Sequence, residues 1–402
     1  MSLLDSLGSR ECWLAFLQYK SSLGVKKSFC KELEEFISSE GYLQVYKNIS
    51  YGGSFALPQK KIVNKIGKEK KRVVYTYPFA ENITLKLLTY LMLRRYDSLF
   101  SNGLYSFRPG RNAKDAIKYL ITRKGISGKY AYKVDISNYF NSLPGENLLP
   151  LLEEALEDDR RLYDLLSSLL CEKEVIYGDT VITEQKGIMA GTPLSAFFAN
   201  IYLNDLDRKF EDIGAVYARY SDDIIVLADS REELDDHISL ISRCLSDKGL
   251  NVNPDKERIY APGEGWTFLG FSYKSGIVDI APITVKKLKK KMKRKANALI
   301  RWADRNGLPG EKAASAFIRV FNSKLFEYMS DNELTWSLWF FPVINTDKSL
   351  KVIDRYAQDT LRYIISGRRT RSRFNVRYSL LKELGYKSLV HEYYKLKNPV
   401  KQ

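Results

Sequence analysis

The chain has 402 residues and a net charge of +16, and it is long enough to bury two or three hydrophobic cores. No apolar run approaches the roughly 18–20 residues of a membrane-spanning helix, so we expect no membrane partner. The four cysteines, at positions 12, 30, 171 and 244, form no close pairs, which predicts a reduced, cytoplasmic chain.

The positive charge is concentrated in the last third of the chain. Residues 281–402 contain 27 Lys and Arg against 10 Asp and Glu, whereas the preceding 280 residues contain 37 against 38. This distribution predicts a basic nucleic-acid-binding domain beside a nearly neutral one.

The first part of the chain combines an apolar segment with a basic one. Residues 1–50 are rich in Leu, Trp and Phe, and we expect them to be helical. Residues 60–72 are rich in lysine, and a basic stretch of this kind is a candidate for binding phosphate groups. A solvated basic turn is the alternative for this stretch.

The next candidate is an acid at the end of a predicted strand. Residues 132–140 read Tyr-Lys-Val-Asp-Ile-Ser-Asn-Tyr-Phe, an apolar run that carries Asp135 at its end and aromatic residues after a turn. Burying an unpaired carboxylate is costly, so packing explains Asp135 poorly. A glycine-rich loop follows at residues 187–195 and leads into a predicted helix, and Gly191 would let the backbone approach a nucleotide closely.

The most informative stretch contains two adjacent aspartates. Tyr220-Ser221-Asp222-Asp223 lies between two apolar runs, the pattern of a β-hairpin with a short polar tip. Adjacent carboxylates repel each other, and a divalent cation would relieve that repulsion. Two other Asp-Asp pairs, at 158–159 and 235–236, lie in charge-rich helical surroundings instead. We expect helices around residues 196–209 and 232–248.

The basic C-terminal region has two clusters of positive charge. Eight of the ten residues from Lys286 to Lys295 are basic, while apolar residues recur every three or four positions. This pattern predicts a packed helix that offers cations to a phosphate backbone, with Lys287, Lys290, Lys291 and Arg294 as contacts. The second cluster, Arg368, Arg369, Arg371 and Arg373, is predicted to be a loop between helices that suits structured RNA as well as a duplex. Residues 332–342, rich in Trp and Phe, are predicted to be core rather than a stacking surface.

Seven stretches, in this order, resemble motifs of the reverse transcriptase family. Two upstream stretches resemble the fingers motifs of group II intron-type enzymes, four resemble the palm motifs, and one resembles the turn that grips the primer strand. The stretches are residues 68–74, 105–111, 132–140, 191–200, 220–223, 248–256 and 266–271.

The resemblance implies an α+β fold of the right-hand polymerase type. It would have an N-terminal helical extension at 1–50, fingers at 51–130, and a palm at 131–280, with an antiparallel sheet, helices and a fingers insertion at about 145–185. An α-helical thumb would occupy 281–402. The implied activity is RNA-directed DNA synthesis from deoxynucleoside triphosphates, with an RNA template and a DNA or RNA primer.

The resemblance also assigns roles to individual residues. Asp135, Asp222 and Asp223, with the carbonyl of Ile136, would hold two Mg²⁺ ions, for which Mn²⁺ could substitute. The nucleotide-binding residues would be Lys65, Arg72, Tyr139, Phe140, Gly191 and Lys256.

Phe140 would exclude the ribose 2′-hydroxyl and so select deoxynucleotides. The alternative is that Phe140 and Tyr139 are aromatic residues of the hydrophobic core. Lys256 would either protonate the leaving group or contact phosphate.

The branch of the family is inferred from departures in the second palm motif. Group II intron enzymes usually have Gln-Gly and Ser-Pro there, whereas this chain has Ala190-Gly191 and Ser195-Ala196. The remaining resemblance is to stand-alone prokaryotic enzymes of antiphage defence, which often act with a structured non-coding RNA. A group II intron-type maturase and a template-independent or protein-primed DNA polymerase are the alternatives.

Overall fold

The computed structural model describes residues 2–23, 25–64, 71–184, 187–327 and 335–398. The chain forms two compact units, one of residues 1–23 and 27–262 and one of residues 24–26 and 263–402. Both contain helices and strands, which confirms the predicted α+β class. The second unit begins before the predicted thumb boundary at residue 281, because a small sheet precedes the helices. The four proposed domains remain a prediction.

The N-terminal segment is helical, as predicted. A 3-10 turn at Leu3–Gly8 precedes three helices, α1 (Arg10–Ser22), α2 (Lys27–Ser38) and α3 (Gly41–Ser50). The buried Trp13 on α1 donates its indole N–H to the carbonyl of Leu7 at 2.8 Å. Asp159 accepts hydrogen bonds from the amide of Leu3 at 2.6 Å and the hydroxyl of Ser2 at 2.7 Å. The same carboxylate caps a later helix, so it fixes the N-terminal segment to the rest of the first unit.

A four-stranded sheet contains the basic N-terminal stretch. Its order is β2-β1-β4-β5, and the strands are β1 (Gln59–Asn64), β2 (Lys71–Thr76), β4 (Glu174–Tyr177) and β5 (Thr180–Thr183). Strands β1 and β2 pair antiparallel with Val63 opposite Arg72. Helices α4 (Phe79–Arg95) and α5 (Ala113–Ile121) follow β2. The alternative of a solvated basic turn over residues 60–72 is wrong for 60–64 and 71–72, which lie in strands, and residues 65–70 lie outside the described residues.

A second four-stranded sheet forms the centre of the first unit. Its order is β6-β7-β3-β8, all antiparallel, and its strands are β3 (Tyr130–Asp135), β6 (Val216–Tyr220), β7 (Asp223–Ala228) and β8 (Arg258–Tyr260). The hairpin predicted at residues 218–228 is therefore confirmed. Helix α11 (Arg231–Asp247) packs on this sheet, as predicted.

Further helices connect the two sheets within the first unit. They are α6 (Tyr139–Ser142), α7 (Gly145–Ala155), α8 (Arg160–Cys171), α9 (Ser195–Tyr202) and α10 (Asn204–Asp212). The single helix predicted over 196–209 is wrong in one respect, because it breaks at Leu203. The side-chain amide of Asn204 donates to the carbonyl of Leu99 at 2.9 Å, which fixes the start of the second helix.

The second unit pairs a small sheet with basic helices. Strands β9 (Trp266–Phe268), β10 (Phe271–Lys274) and β11 (Ile277–Ile280) form an antiparallel sheet. The turn between β9 and β10 has positive φ at Leu269 and Gly270, as a two-residue hairpin of right-handed twist requires. The helices are α12 (Pro282–Arg305), α13 (Gly310–Phe326), α14 (Trp336–Phe340), α15 (Lys348–Ser366), α16 (Tyr378–Glu383) and α17 (Leu389–Lys397).

Two predictions for the second unit are confirmed. Helix α12 buries Leu288, Met292 and Ala296 on one side and exposes most of its basic residues. Trp336, Phe340 and Phe341 are buried and Trp339 is half-buried, so the aromatic rings of the described part belong mainly to the core. Residues 332–334 lie outside the described ranges. Across the described ranges, no helix combines the length and hydropathy needed to cross a membrane.

Candidate active site

The antiparallel register of β3 and β7 brings two of the predicted acids together. Asp135, the last residue of β3, lies directly opposite Asp223, the first residue of β7. Residues opposite each other in an antiparallel pair have side chains on the same face, with Cβ atoms about 5 Å apart. Asp222 occupies the hairpin tip next to them, and its carbonyl accepts the amide of Ile136 at 3.0 Å. One strand end and one turn thus gather all three predicted carboxylates.

Each of the two paired acids also faces a lysine. The ammonium group of Lys256 forms a short ion pair with Asp135, and that of Lys133 lies 3.5 Å from Asp223. The loop after α11 holds Asp135 further, because Asn253 donates its side-chain amide to the carboxylate at 3.1 Å and its backbone amide to the carbonyl at 2.8 Å. Two lysine ammonium groups therefore face three buried or half-buried carboxylates, so ionised carboxylates outnumber the cations by one.

The electrostatics of the tip favour a bound cation. Burial first, and then the negative charges of Asp223 and Asp135, raise the pKa of Asp222 to about 6. Burial also raises the pKa of Asp223, although Lys133 opposes that shift. Oxygen ligands with excess negative charge suit Mg²⁺, and Lys256 and Lys133 stand in for such cations on Asp135 and Asp223. With Lys256 on Asp135 and Lys133 on Asp223, no three His, Cys, Asp or Glu side chains of the described residues lie in a metal-binding arrangement in this structure.

A buried ion pair holds the hairpin that carries these acids. The guanidinium of Arg219 on β6 contacts the carboxylate of Asp207 on α10 through two N–H groups at 2.7 and 2.5 Å. Both side chains are fully buried, and the hydroxyl of Tyr217 donates to Asp207 at 2.7 Å. Burial alone would lower the pKa of Arg219, but the Asp207 carboxylate raises it above its usual value. Arg219 therefore stays charged inside the protein.

The same arginine supports the tip of the hairpin directly. Its guanidinium donates to the carbonyl of Ser221 at 3.2 Å and to that of Asn200 at 3.3 Å. Ser221 has a φ of 60°, and its amide donates to the hydroxyl of Ser106 at 2.9 Å. The loop 101–108 is held in turn by the buried Arg108, which contacts Asp97 at 2.7 Å and the carbonyl of Ser101 at 2.6 Å.

The two aromatic residues after Asp135 have different environments. Tyr139 is 2% exposed, and its hydroxyl donates to the carbonyl of Ala199 at 2.6 Å. It belongs to the core, so a nucleotide-contacting role for its side chain finds no support in this structure. Phe140 is half-buried and packs edge-on against the exposed ring of Phe107, with centroids 6.4 Å apart. Phe140 is therefore the ring of the two that solvent reaches.

The glycine-rich loop joins Phe140 to the first sheet. The amide of Ile188 donates to the carbonyl of Phe140 at 3.1 Å, and the amide of Tyr75 donates to the carbonyl of Ala190 at 2.9 Å. Gly191 has a φ of 99°, and an added Cβ would lie 3.2 Å from the Cβ of Val74. Only glycine allows this approach without displacement of the strand.

The remaining predicted residues are placed as follows. Lys65 lies outside the described residues, and Arg72 belongs to β2 but its side chain is not among those the structure describes. In the second unit, α12 carries exposed side chains at Lys287, Lys290, Lys291 and Arg294. The second basic cluster follows Gly367, which ends α15 with a φ of 65°.

The Arg368–Arg373 stretch is a loop, as predicted, and a 3-10 turn begins within it at Arg371. Arg369 lies over the ring of Tyr363 at 5.0 Å, and Arg373 lies over that of Phe374 at 4.7 Å.

Sequence reasoning missed three contributors to the site. Lys133 precedes Asp135 by two positions, so it lies on the same face of β3, and this alternation was the available signal. Asn253 lies within a recognised motif without an assigned role. Arg219 interrupts an apolar strand, which indicates a buried partner, but the identity of Asp207 required the fold.

A profile of the family described as "Reverse transcriptase (RNA-dependent DNA polymerase)" matches residues 61–273. This stretch is more than half of the chain and includes Asp135, Asp222, Asp223 and Lys256. The chain belongs to the reverse transcriptase family. The α+β architecture of the structure agrees with the polymerase fold that the motifs predicted.

Several curated proteins are similar to parts of this reverse transcriptase-family chain. "Group II intron-encoded protein LtrA" of Lactococcus lactis subsp. cremoris is 22% identical over 201 residues, which are 49% of this chain and 33% of that protein. "Uncharacterized 91 kDa protein in cob intron" of Schizosaccharomyces pombe is 26% identical over 40% of this chain and 19% of its own length. "Retron Ec48 reverse transcriptase" of Escherichia coli is 21% identical over 60% and 61%.

The chain thus spans between about a fifth and three fifths of the length of these relatives. Among solved structures, apo telomerase from Candida tropicalis has a TM-score of 0.47 and 12% identity, covering 82% of this chain and 68% of that one.

Removing the charge of Asp222 should stabilise the metal-free protein near neutral pH. Because its pKa is raised from 3.8 to about 6, the stability linked to this group is fully present below pH 4 and is lost as the pH rises through 6. A shift of about two units corresponds to at most about 3 kcal/mol. Chemical unfolding of Asp222→Asn in EDTA should therefore show a gain over the native chain that grows from pH 4 to 7.

The exposed Asp179, in the turn between β4 and β5, provides the control. Asp179→Asn should change the free energy of unfolding by less than about 0.5 kcal/mol at either pH. A gain for Asp222→Asn that does not depend on pH would contradict the raised pKa.

Replacing Asp207 should strongly destabilise the first unit. Asp207→Asn leaves Arg219 charged and buried without its carboxylate, a change that typically costs about 3–5 kcal/mol. The exposed Asp212 lies on the same helix, so Asp212→Asn is the matched control. In urea unfolding, the midpoint of Asp207→Asn should lie at a clearly lower urea concentration than that of Asp212→Asn. Equal midpoints would show that the buried ion pair contributes little to the free energy of unfolding.

Proposed function

We propose that the chain is an RNA-directed DNA polymerase that adds deoxynucleotides by two-metal phosphoryl transfer. The observation that carries this proposal is the position of Asp135 opposite Asp223 and beside Asp222. These residues lie within the stretch matched by the family profile. Membership of the family supports the reaction class, and the excess of carboxylate charge supports the use of divalent metal.

The proposed metal ligands are Asp135, Asp222, Asp223 and the carbonyl of Ile136. When bound, Mg²⁺, or Mn²⁺ in its place, supplies positive charge to the phosphate oxygens and to the attacking and leaving oxygens. Lys256 has a side chain 43% exposed, so its ammonium group can move away from Asp135 into solvent. Because the pKa of Asp222 is raised to about 6, protons should compete with metal at that carboxylate below about pH 6. The pKa of Asp223 is also raised, which acts in the same direction.

In the proposed reaction a primer 3′-hydroxyl attacks the α-phosphate of a deoxynucleoside triphosphate. A P–O bond forms to the primer as the bond to pyrophosphate breaks, and the hydroxyl proton leaves to solvent. Lys256 is proposed to protonate or bind the leaving pyrophosphate. Lys65 and Arg72 are proposed to hold the triphosphate, because guanidinium and ammonium groups neutralise charge on the leaving oxygens.

Phe140 is the proposed selector of the sugar, and Gly191 the proposed point of close approach to the nucleotide. The half-buried ring of Phe140 follows the Asp135 strand by one short turn, and Ile188 of the glycine-rich loop is bonded to its carbonyl. A ring at this position would clash with a ribose 2′-hydroxyl. Tyr139, as a core residue, would position Phe140 rather than contact the nucleotide.

The double substitution Asp222→Asn with Asp223→Asn should abolish Mg²⁺-dependent primer extension and leave the fold intact. The hairpin tip loses mutual repulsion, so its stability should not fall. The matched control is Asp235→Asn with Asp236→Asn, an exposed Asp-Asp pair on α11, which should keep full activity. Appreciable extension by the soluble Asp222 and Asp223 double variant would rule out the assignment.

Phe140→Ala should raise the incorporation of ribonucleotides relative to deoxynucleotides. If steric exclusion is the mechanism, discrimination should fall by a few kcal/mol, on the order of a hundredfold. Single-nucleotide incorporation measures the ratio, with Phe107→Ala as the control for loss of the neighbouring ring. An unchanged ratio in an active Phe140→Ala enzyme would assign the selection to another residue.

The proposed partners are an RNA template, a DNA or RNA primer and a dedicated structured non-coding RNA. Supporting contacts are proposed on α12 (Lys287, Lys290, Lys291, Arg294) and in the arginine loop (Arg368, Arg369, Arg371, Arg373). A role in antiphage defence is compatible with a retron reverse transcriptase among the relatives. The resemblance to an intron-encoded protein keeps a maturase as the second candidate.

Sequencing the nucleic acids that copurify with the protein distinguishes these roles. One RNA with a matching complementary DNA would support the dedicated template. Intron RNA without complementary DNA would support the maturase, and DNA without a matching RNA would support untemplated or protein-primed synthesis.

A further inference from the structure

The second unit contains a lysine-lined groove that shares only Lys290 with the proposed phosphate contacts of α12. It runs between α12 and α15, which pack against each other, and has a volume of about 480 Å³. None of its ten lining residues is acidic. Its cationic residues are Lys286, Lys289, Lys290, Lys293 and Lys348.

The floor of the groove is apolar and includes an aromatic ring. Val285 and Val352 contribute aliphatic surface, and Tyr356 of α15 contributes its ring. The ammonium group of Lys289 lies 5.3 Å from the centroid of that ring. Val352 is exposed although it is hydrophobic. A row of cations above an aromatic floor suits a ligand that has both negative charges and flat apolar faces.

Two acids beside the end of the groove are already engaged: Asp347 pairs with Lys351 at 2.9 Å, and the second is Asp279. Asp279 on β11 accepts the amide of Ile280 at 2.8 Å and lies near Lys348 and Ser349 at the end of the groove. It offsets one of the five lysines. A net positive charge remains along α12.

We propose that this groove binds single-stranded RNA, with phosphates on the lysines and a base stacked on Tyr356. Single-strand sites of this kind combine a cationic groove with aromatic rings, because every base has a flat face. A duplex keeps its bases stacked inside and would contact only a raised cationic surface. The inference rests on the proposed function only for the identity of the polyanion as RNA.

Helix geometry divides the cations of α12 into two faces. Lys286, Lys289 and Lys293 recur at three- and four-residue spacing and line the groove, whereas Lys287, Lys291 and Arg294 share a face about a third of a turn away. We call these sets the groove face and the outer face. Lys290 lies between them. The outer face carries three of the four α12 contacts proposed above for the template and primer. One helix would therefore hold a single strand on its groove face and a template–primer duplex on its outer face.

The test compares two triple variants that remove the same charge from the same helix. The groove variant is Lys286→Gln, Lys289→Gln and Lys293→Gln, and the outer variant is Lys287→Gln, Lys291→Gln and Arg294→Gln. Each is titrated, as the full chain, with a 20-nucleotide oligouridine and with a blunt RNA–DNA duplex at several salt concentrations. Circular dichroism and thermal melting confirm that both variants fold.

The groove variant should lose oligouridine affinity on the order of a hundredfold at 0.1 M salt, since each lost contact reduces the salt slope by about 0.7. Its duplex affinity should change less than threefold. The outer variant should show the reverse preference. Tyr356→Leu should weaken oligouridine binding about tenfold with an unchanged salt slope, because stacking releases no counterions, whereas Tyr356→Phe should bind like the native chain.

Equal losses of both ligands in both variants would overturn the proposal and leave only a diffuse basic surface. Competition by polyglutamate as effective as that by oligouridine would also overturn it and indicate an acidic protein partner. Primer extension by the native chain is measured separately. One outcome separates the two proposals: the native chain extends no primer, while the groove variant loses oligouridine affinity and the outer variant keeps it. In that case the polymerase proposal fails and the assignment of the groove stands.

Discussion

The ion pair of Asp207 and Arg219 is the interaction on which the candidate site most depends. It places a charged guanidinium inside the first unit, where its remaining N–H groups bind the carbonyls of Ser221 and Asn200. The positive φ of Ser221 is thereby supported from inside the protein. Adjacent carboxylates repel each other, so they do not stabilise the hairpin tip that carries them. The hydrogen bond from the buried Arg219 to the carbonyl of Ser221 holds this tip instead.

The contacts around the tip extend this restraint to three other segments. Ser106 bonds the amide of Ser221, Asn253 and Lys256 bond Asp135, and Ala190 bonds Tyr75 on β2. Each contact joins residues more than a hundred positions apart in the chain. The acids are consequently held by the tertiary structure of the first unit, and the lysines at Asp135 and Asp223 limit their repulsion when no metal is bound.

The parts of the structure that local patterns determine were predictable. Apolar runs that end at an acid or a polar tip located the strand ending at Asp135 and the hairpin at 220–223, and a three- and four-residue repeat of apolar residues located α12. The ion pairs that depend on the tertiary structure were not predictable. Nothing in the sequence next to Lys133 specifies Asp223 as its partner, and nothing next to Arg219 specifies Asp207. The break at Leu203 was missed for the same reason: it reflects a bond from Asn204 to the distant carbonyl of Leu99. The second unit begins at Gly263 and not at the predicted residue 281 because β9–β11 belong to it. The predicted boundary followed the distribution of charge, which carries no information about the packing of these strands.

The pairing of Asp135 with Asp223 has a consequence for how such a chain can change in length during evolution. Side chains alternate between the two faces of a strand, so inserting or deleting one residue within β3 would turn every following side chain to the opposite face. Asp135 would then point away from Asp223 while the composition of the strand stayed nearly the same. Length changes should therefore be excluded from β3 and β7 and tolerated in the turns at 178–179 and 275–276, which join strands far along the chain from these acids.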